Sequence, residues 1–217
     1  MWTADHERLI FMSAGLCDFE KIWTFENSGA SIEYKPISSL PDGKDSIAVK
    51  QTSCIKVSGI RYYIKRFSQK YLKLLLNELN SLKLVSSIGI TVPTLAAHSV
   101  CDATSRGIII YKNLTGYNSL EKLSSGSTSP DAVADFQTRK TDIIRELAGT
   151  ALTLHNSGYI YRNWKQEHIF IKYKNNGIAL IDFEHFTILK GKLWITSQIL
   201  KWRDWTQFKT SLKSKIY

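Results

Sequence analysis

Lys65 ends the run Tyr62-Tyr63-Ile64-Lys65, which alternates like a strand, and Glu78 follows inside a leucine-rich pattern with helical spacing. A lysine so placed can neutralise the oxygens of a polyphosphate, and a carboxylate on the next helix can hold its ammonium toward them. Further along stand Asn163, Lys165 and His168 in Tyr161-Arg162-Asn163-Trp164-Lys165-Gln166-Glu167-His168, and then Asp182 in Ile181-Asp182-Phe183-Glu184. An amide can hydrogen-bond a hydroxyl. A lysine two residues away can contact a phosphoryl group, while a histidine and an aspartate can hold a divalent cation. Asp182, at the end of an apolar run, suits a hard ion such as magnesium. The chemistry common to these groups is phosphoryl transfer. Singly, each has a plainer reading: Lys65 as a solvated strand lysine, Glu78 as a surface glutamate, His168 as a satisfied core histidine and Asp182 as a turn or capping aspartate. Five such features in one order are harder to set aside.

Those residues need a scaffold, and the chain offers one in two parts. Strands are expected over 31–37 and 46–52 and over 55–67, the last broken by a Ser58-Gly59 turn into a hairpin. Apolar residues at 72, 75, 76, 79 and 82 predict a helix over 69–85, closed by Gly89 and Pro93. Strands over 94–100 and 107–111 complete an antiparallel sheet. After Lys112 the pattern turns helical. Asn118 and Glu121 have capping-box spacing, and Ser129-Pro130 opens a long helix that Gly158 can end. The run Ser-Ser-Gly-Ser-Thr-Ser at 124–129 reads as a flexible surface loop rather than a phosphate cradle. The expected class is α+β, with an N-terminal sheet lobe over 1–111 and a small helical lobe over 112–217.

Composition narrows the classes of function. With 217 residues, 43% hydrophobic and 22% charged, the chain can bury a core and fold as one domain. Cys17, Cys54 and Cys101 are odd in number and form no C-x-x-C pair, so neither a disulfide framework nor a zinc site is expected, and a reducing cytoplasm fits. The start of the chain has no basic-then-apolar leader and no apolar run approaches a membrane span. The net charge of +10 calls for an anionic partner. Nucleic acid is disfavoured, because the chain lacks zinc-finger spacing, an aromatic RNA-binding strand motif and a basic tail.

Read in order, the motifs match those of protein kinases: the strand lysine, the helix glutamate, H-R-D-x-x-x-x-N as Tyr161-Arg162-Asn163 with His168 in the asparagine position, and D-F-G as Asp182-Phe183-Glu184. More closely, the chain from about Gly43 to Phe186 resembles the bacterial lipopolysaccharide-core kinase family, which includes the Kdo and heptose kinases. The shared features are the Tyr-Tyr-Ile-Lys strand, the Glu78 helix leading into Gly89-Ile90-Thr91-Val92-Pro93, the Leu114-Thr115-Gly116 segment, Leu154-His155-Asn156-Ser157-Gly158, and histidine at 168. The resemblance implies a protein kinase-like fold that holds ATP between its lobes. It also implies ATP and magnesium as cofactors and a sugar of the lipopolysaccharide inner core as acceptor, on the cytoplasmic face of the inner membrane. It gives Lys65 to phosphate, Glu78 to positioning it, Tyr111, Lys112 and Asn113 to the adenine hinge, His168 and Asp182 to magnesium, and Asn163 and Lys165 with Asp182 to catalysis.

Three departures from the pattern stand out. Asp42-Gly43-Lys44-Asp45 has one glycine where a phosphate-covering loop is expected, Glu184 replaces a glycine, and Asn163 replaces the catalytic aspartate. An amide cannot accept a proton as a carboxylate does. Asn163 therefore marks a natural pseudokinase with a nucleotide-binding or scaffolding role, an introduced lesion, or an enzyme that works by positioning and charge. With 35 residues after Asp182, the peptide-docking helices of a protein kinase are not expected, and an anionic sugar-lipid suits the net charge. Over the last 28 residues, Lys190, Lys192, Lys201, Arg203, Lys209, Lys213 and Lys215 accompany Trp194, Ile195, Trp202, Trp205 and Phe208, with Asp204 the one acid. Such a segment can lie on an anionic bilayer. The plainer expectation is that its aromatics pack into the helical lobe while its lysines face water.

Overall fold

Alternation of β-branched and aromatic residues produces an antiparallel sheet early in the chain. In the computed structural model, which describes residues 5–16, 18–24, 32–39 and 50–216, contacts divide the chain into two units. One comprises Met1–Leu76 and Pro93–Leu114, the other Asn77–Val92 and Thr115–Tyr217.

The first unit opens with helices α1 (Asp5–Ser13) and α2 (Phe19–Thr24). Strands β1 (Ile32–Ser39), β2 (Lys50–Val57) and β3 (Ile60–Phe67) follow, then the first turn of α3 (Leu72–Ser87), then β4 (Leu95–Cys101) and β5 (Arg106–Lys112). The strands form one antiparallel sheet in the order β1-β2-β3-β5-β4. Its core face collects Ile55, Val57, Tyr62, Ile64, Ile108 and Ile110 at every second position, and the two leading helices cover it with Phe11 and Ile22, joined by Leu16 from the link between them. Phe11 meets Tyr62 edge to face at 4.9 Å. The hairpin turn falls at Ser58-Gly59 as expected, both residues at positive φ (49° and 77°), which suits a tight two-residue connection. At Gly107 a Cβ would lie 2.4 Å from a methyl of Leu75, so any larger residue in this second position of β5 would push the α3 leucines aside.

Arg66 is buried in this unit. Its Nε donates to the Trp23 carbonyl (3.1 Å), its Nη2 to the Ile22 carbonyl (3.0 Å) and its Nη1 to Ser53 Oγ (2.5 Å). The guanidinium thus satisfies the last carbonyls of α2, where the helix dipole favours a cation.

The second unit holds the rest of α3, then β6 (Tyr117–Ser119), α4 (Leu120–Ser125), α5 (Pro130–Asn156), β7 (Tyr159–Ile160), β8 (Ile169–Lys172), β9 (Ile178–Leu180), β10 (Thr187–Ile188) and α6 (Trp194–Ile216). Strands β6, β8 and β9 form a small antiparallel sheet, and β7 pairs with β10. Helix α5 begins as the sequence indicates: the Ser129 side chain accepts from the Ala132 N–H and Pro130 takes the first turn. Its apolar stripe, Phe136, Ile143, Leu147, Ala151 and Leu154, is buried. The fold is α+β and protein kinase-like, an antiparallel sheet followed by a helical part.

Several expectations need correction. Helices α1 and α2 were not read from the sequence. The strand expected to stop at 52 continues through Ser53 and Cys54 to Val57, since neither residue breaks a strand. Helix α4 is capped by Ser119, which accepts from the Lys122 N–H, while Asn118 Oδ1 accepts from Thr128 Oγ1. Residues 124 and 125 belong to that helix, and Gly126 ends it at φ 73°. Residues 42–45, and 46–49 of the second expected strand, lie outside the described residues.

Candidate active site

The second unit brings together Asn163, His168, Asp182, Glu184 and Glu78. Asn163 follows Arg162, a non-glycine residue at φ 61°, and Asp182 itself sits at φ 63°. Such left-handed positions cost about 1–3 kcal/mol each and persist where surroundings over-determine them. Here the surroundings are specific. The Arg162 N–H donates to Asp204 Oδ1 at 2.7 Å, and His155 Nε2 lies 2.8 Å from Asp204 Oδ2. Asp204, buried on α6, thereby holds the loop of Asn163 against α5. Sequence reasoning gave Asp204 no role, although its standing as the one acid in a basic, aromatic tail was a signal.

Below the loop, Tyr161 is fully buried and its hydroxyl donates to the Ile181 carbonyl. Burial, and then the carboxylates of Asp182, Glu78 and Asp204, push its pKa well above the usual phenol value, so it remains a donor. Tyr161 packs on Trp164 at 4.9 Å and on Phe183 at 5.3 Å, and Trp164 meets Phe208 of α6 at 4.9 Å. This apolar layer fixes the loop from beneath. From α3, Asn77 Nδ2 donates to the carbonyls of Glu184 (2.7 Å) and Phe186 (3.1 Å), fastening the segment after Asp182.

The candidate groups sit on this support. Asn163 Nδ2 donates to Asp182 Oδ2 at 2.6 Å and to the Asp182 carbonyl at 3.0 Å, so the amide orients the carboxylate. His168 Nε2 lies 3.6 Å from Asp182 Oδ2. Lys165 is exposed, with its ammonium 3.7 Å from Glu167. Glu78, Asp182 and Glu184 each offer a carboxylate oxygen within 4.8 Å of the others. An all-oxygen, anionic donor set of this kind fits magnesium, which commonly takes one or two carboxylates and completes its shell with water and phosphate. The sequence expectation paired His168 with Asp182 for the metal; the geometry adds Glu184 and Glu78 to Asp182.

The remaining expected residues lie in the first unit. Lys65, half-buried on β3, stands opposite Thr52 and Ile109 in the sheet. Tyr111 is buried on β5, Lys112 Nζ lies 3.5 Å from Glu7 of α1, and the Asn113 N–H donates to the Arg61 carbonyl at 3.0 Å.

A family model described as the lipopolysaccharide kinase (Kdo/WaaP) family matches residues 49–211. The chain belongs to the lipopolysaccharide kinase (Kdo/WaaP) family. No curated protein matches it. The matched stretch contains every residue of the site and leaves α1 and α2 outside. Within this Kdo/WaaP kinase, Asp204 ties the 161–168 loop to α5 through the Arg162 N–H and His155. Asp204→Ala strands the Arg162 N–H and removes the partner of His155, so it should cost about 2–4 kcal/mol of stability. Thermal unfolding checks this; a loss near that of an ordinary surface substitution would show that Asp204 does not brace the loop.

Proposed function

We propose that this chain is an ATP-dependent kinase that phosphorylates a sugar hydroxyl of the lipopolysaccharide inner core, on Kdo or heptose, at the cytoplasmic face of the inner membrane. The observation that carries the reading is the hydrogen bond from buried Asn163 to half-buried Asp182, assembled on a braced loop in a member of the lipopolysaccharide kinase (Kdo/WaaP) family. A purely scaffolding role gives no reason for that assembly.

In this reading Lys65, kept in place by Glu78, takes the phosphates of ATP, and Tyr111, Lys112 and Asn113 take adenine. Asp182 with Glu184 or His168 holds magnesium. When bound, the ion neutralises charge on the phosphates. Asn163 spends its Nδ2 on Asp182, which leaves its Oδ1 as the end of the amide that can accept from the acceptor hydroxyl and set its line of approach. Lys165 faces the phosphoryl group from the exposed side of the loop. Beside the loop lies a groove of about 710 Å³ lined by Lys165, Gln166, Glu167, Trp202, Arg203 and Thr206, a size that suits a sugar headgroup.

ATP with magnesium should raise the unfolding temperature by roughly 5–10 °C at about 100 times its Kd. Lys65→Ala should abolish most of that rise with little change in the unliganded protein. Radiolabel transfer to core precursors, and not to a generic protein substrate, is the companion result. A folded protein that ATP and magnesium leave unstabilised would rule out the reading.

A further inference from the structure

Helix α6 buries Asp204, Phe208 and Leu212 on one face. Its opposite face is apolar at the start of the helix, contrary to the expectation that the tail aromatics would all pack inward. Trp194, Ile195, Ile199 and Trp202, with Leu193 just before the helix, are between 51% and 81% exposed. Ile195, Ile199 and Trp202 stand at i, i+4 and i+7 and so share one side. Trp205 and Phe208 stack on each other at 5.1 Å, and Phe208 packs inward on Trp164 at 4.9 Å. Exposed apolar area of this concentration marks a binding surface rather than chance.

Charge identifies the occupant. Lys190, Lys192 and Arg203 rim the patch and are exposed. From 190 to 203 the sequence has no carboxylate, and the next one, Asp204, is buried against His155 and Arg162. Tryptophans at the edge of an apolar face ringed by lysine and arginine suit the boundary between acyl chains and anionic headgroups. A second copy fits poorly, because a self-paired contact would set these cations against themselves in a chain of net charge +10. Among the described residues no helix is long and apolar enough to cross a membrane, so contact would be along the surface.

We propose that the Ile195–Ile199–Trp202 face of α6 docks the protein onto an anionic lipid bilayer. Trp202 and Arg203 also line the groove beside Lys165. Docking therefore puts the mouth of that groove at headgroup level, where a lipid-linked acceptor would present its sugar; this last step rests on the kinase reading above.

The test is co-sedimentation with phosphatidylcholine vesicles and with vesicles containing about 30% phosphatidylglycerol, for the full chain and for the double variant Ile195→Glu/Ile199→Glu. Binding to the anionic vesicles should be tighter by about tenfold or more and should weaken as salt shortens the screening length. The variant should lose about tenfold or more of that binding while keeping its unfolding temperature and its ATP-magnesium shift. Equal binding to both vesicle types, or unaltered binding by the variant, overturns the proposal. Concentration-dependent self-association that the variant abolishes overturns it too, by assigning the face to a second copy. Vesicle binding with no nucleotide shift would leave the docking face standing and remove the kinase reading; a nucleotide shift without vesicle binding would do the reverse.

Discussion

Asp182→Asn should lower phosphotransfer by about 10²- to 10³-fold while leaving the fold intact. Asparagine has the shape of aspartate, and its Oδ1 can still accept from Asn163 Nδ2, which donates to Asp182 Oδ2 at 2.6 Å. What disappears is the negative charge, and with it one carboxylate of the group formed with Glu78 and Glu184. The unfolding temperature without ligand should stay near that of the parent chain, and the added stabilisation by magnesium with ATP should largely vanish. A variant that retains both activity and magnesium response would move the metal and the chemistry away from Asp182.

The second large effect is expected at Asn163, and it has two parts that pull in opposite directions. Asn163→Asp replaces a donor by a carboxylate 2.6 Å from another carboxylate, in a position only 4% exposed. Two such groups cannot both ionise freely, so one is forced up in pKa. A group raised above its unfolded value of about 4 favours folding while protonated and opposes it once pH climbs past that range. Without a divalent cation the variant should therefore match the parent at low pH and fall behind as pH rises, by about 2 kcal/mol or roughly 4–8 °C. With saturating magnesium the deficit should close, and the new carboxylate, able to accept the acceptor proton, should raise turnover by about 10²-fold. Unfolding curves across pH test the first part and initial rates the second. An unchanged stability profile would mean that the amide is not held on Asp182. An unchanged rate at saturating magnesium would mean that position 163 does not face the acceptor hydroxyl.

These expectations start from residues that the sequence exposes unevenly. The sheet was legible because strand alternation is local, and the β2–β3 hairpin announced itself through Ser58-Gly59. The motif residues were legible because Asn163, Lys165 and His168 share one short loop whose spacing survives without tertiary knowledge. Membership of the lipopolysaccharide kinase family followed from those same motifs, and the family match bears it out. The bracing residues were not legible. Asp204 lies 42 residues beyond Arg162 and Asn77 lies 107 before Glu184, and nothing local in either segment reports what it touches. Helices α1 and α2 escaped notice because helices of nine and six residues have little stability of their own and exist by packing on the sheet. For α6 the sequence offered both a bilayer-facing and a packed reading and could not choose, because apolar residues on a helix read as core until the buried face is seen to be filled without them.

Adjacent residues on β3 divide their labour, since Lys65 belongs to the candidate chemistry while Arg66 reaches the carbonyl ends of α2. That bond makes the strand and the leading helices inherit one another. A guanidinium this deeply buried would be a liability in any relative without α2, because its acceptors at Ile22 and Trp23 would be gone and much of its desolvation would go uncompensated. Across the family, arginine at this strand position should therefore travel with a leading helical pair, and shorter relatives should carry an apolar residue there. The same linkage makes the matched segment 49–211 a poor choice for expression by itself: cut at that boundary, it would expose the apolar face that Phe11, Leu16 and Ile22 now cover and take from Arg66 its acceptors on α2, the conditions under which a chain aggregates before it folds.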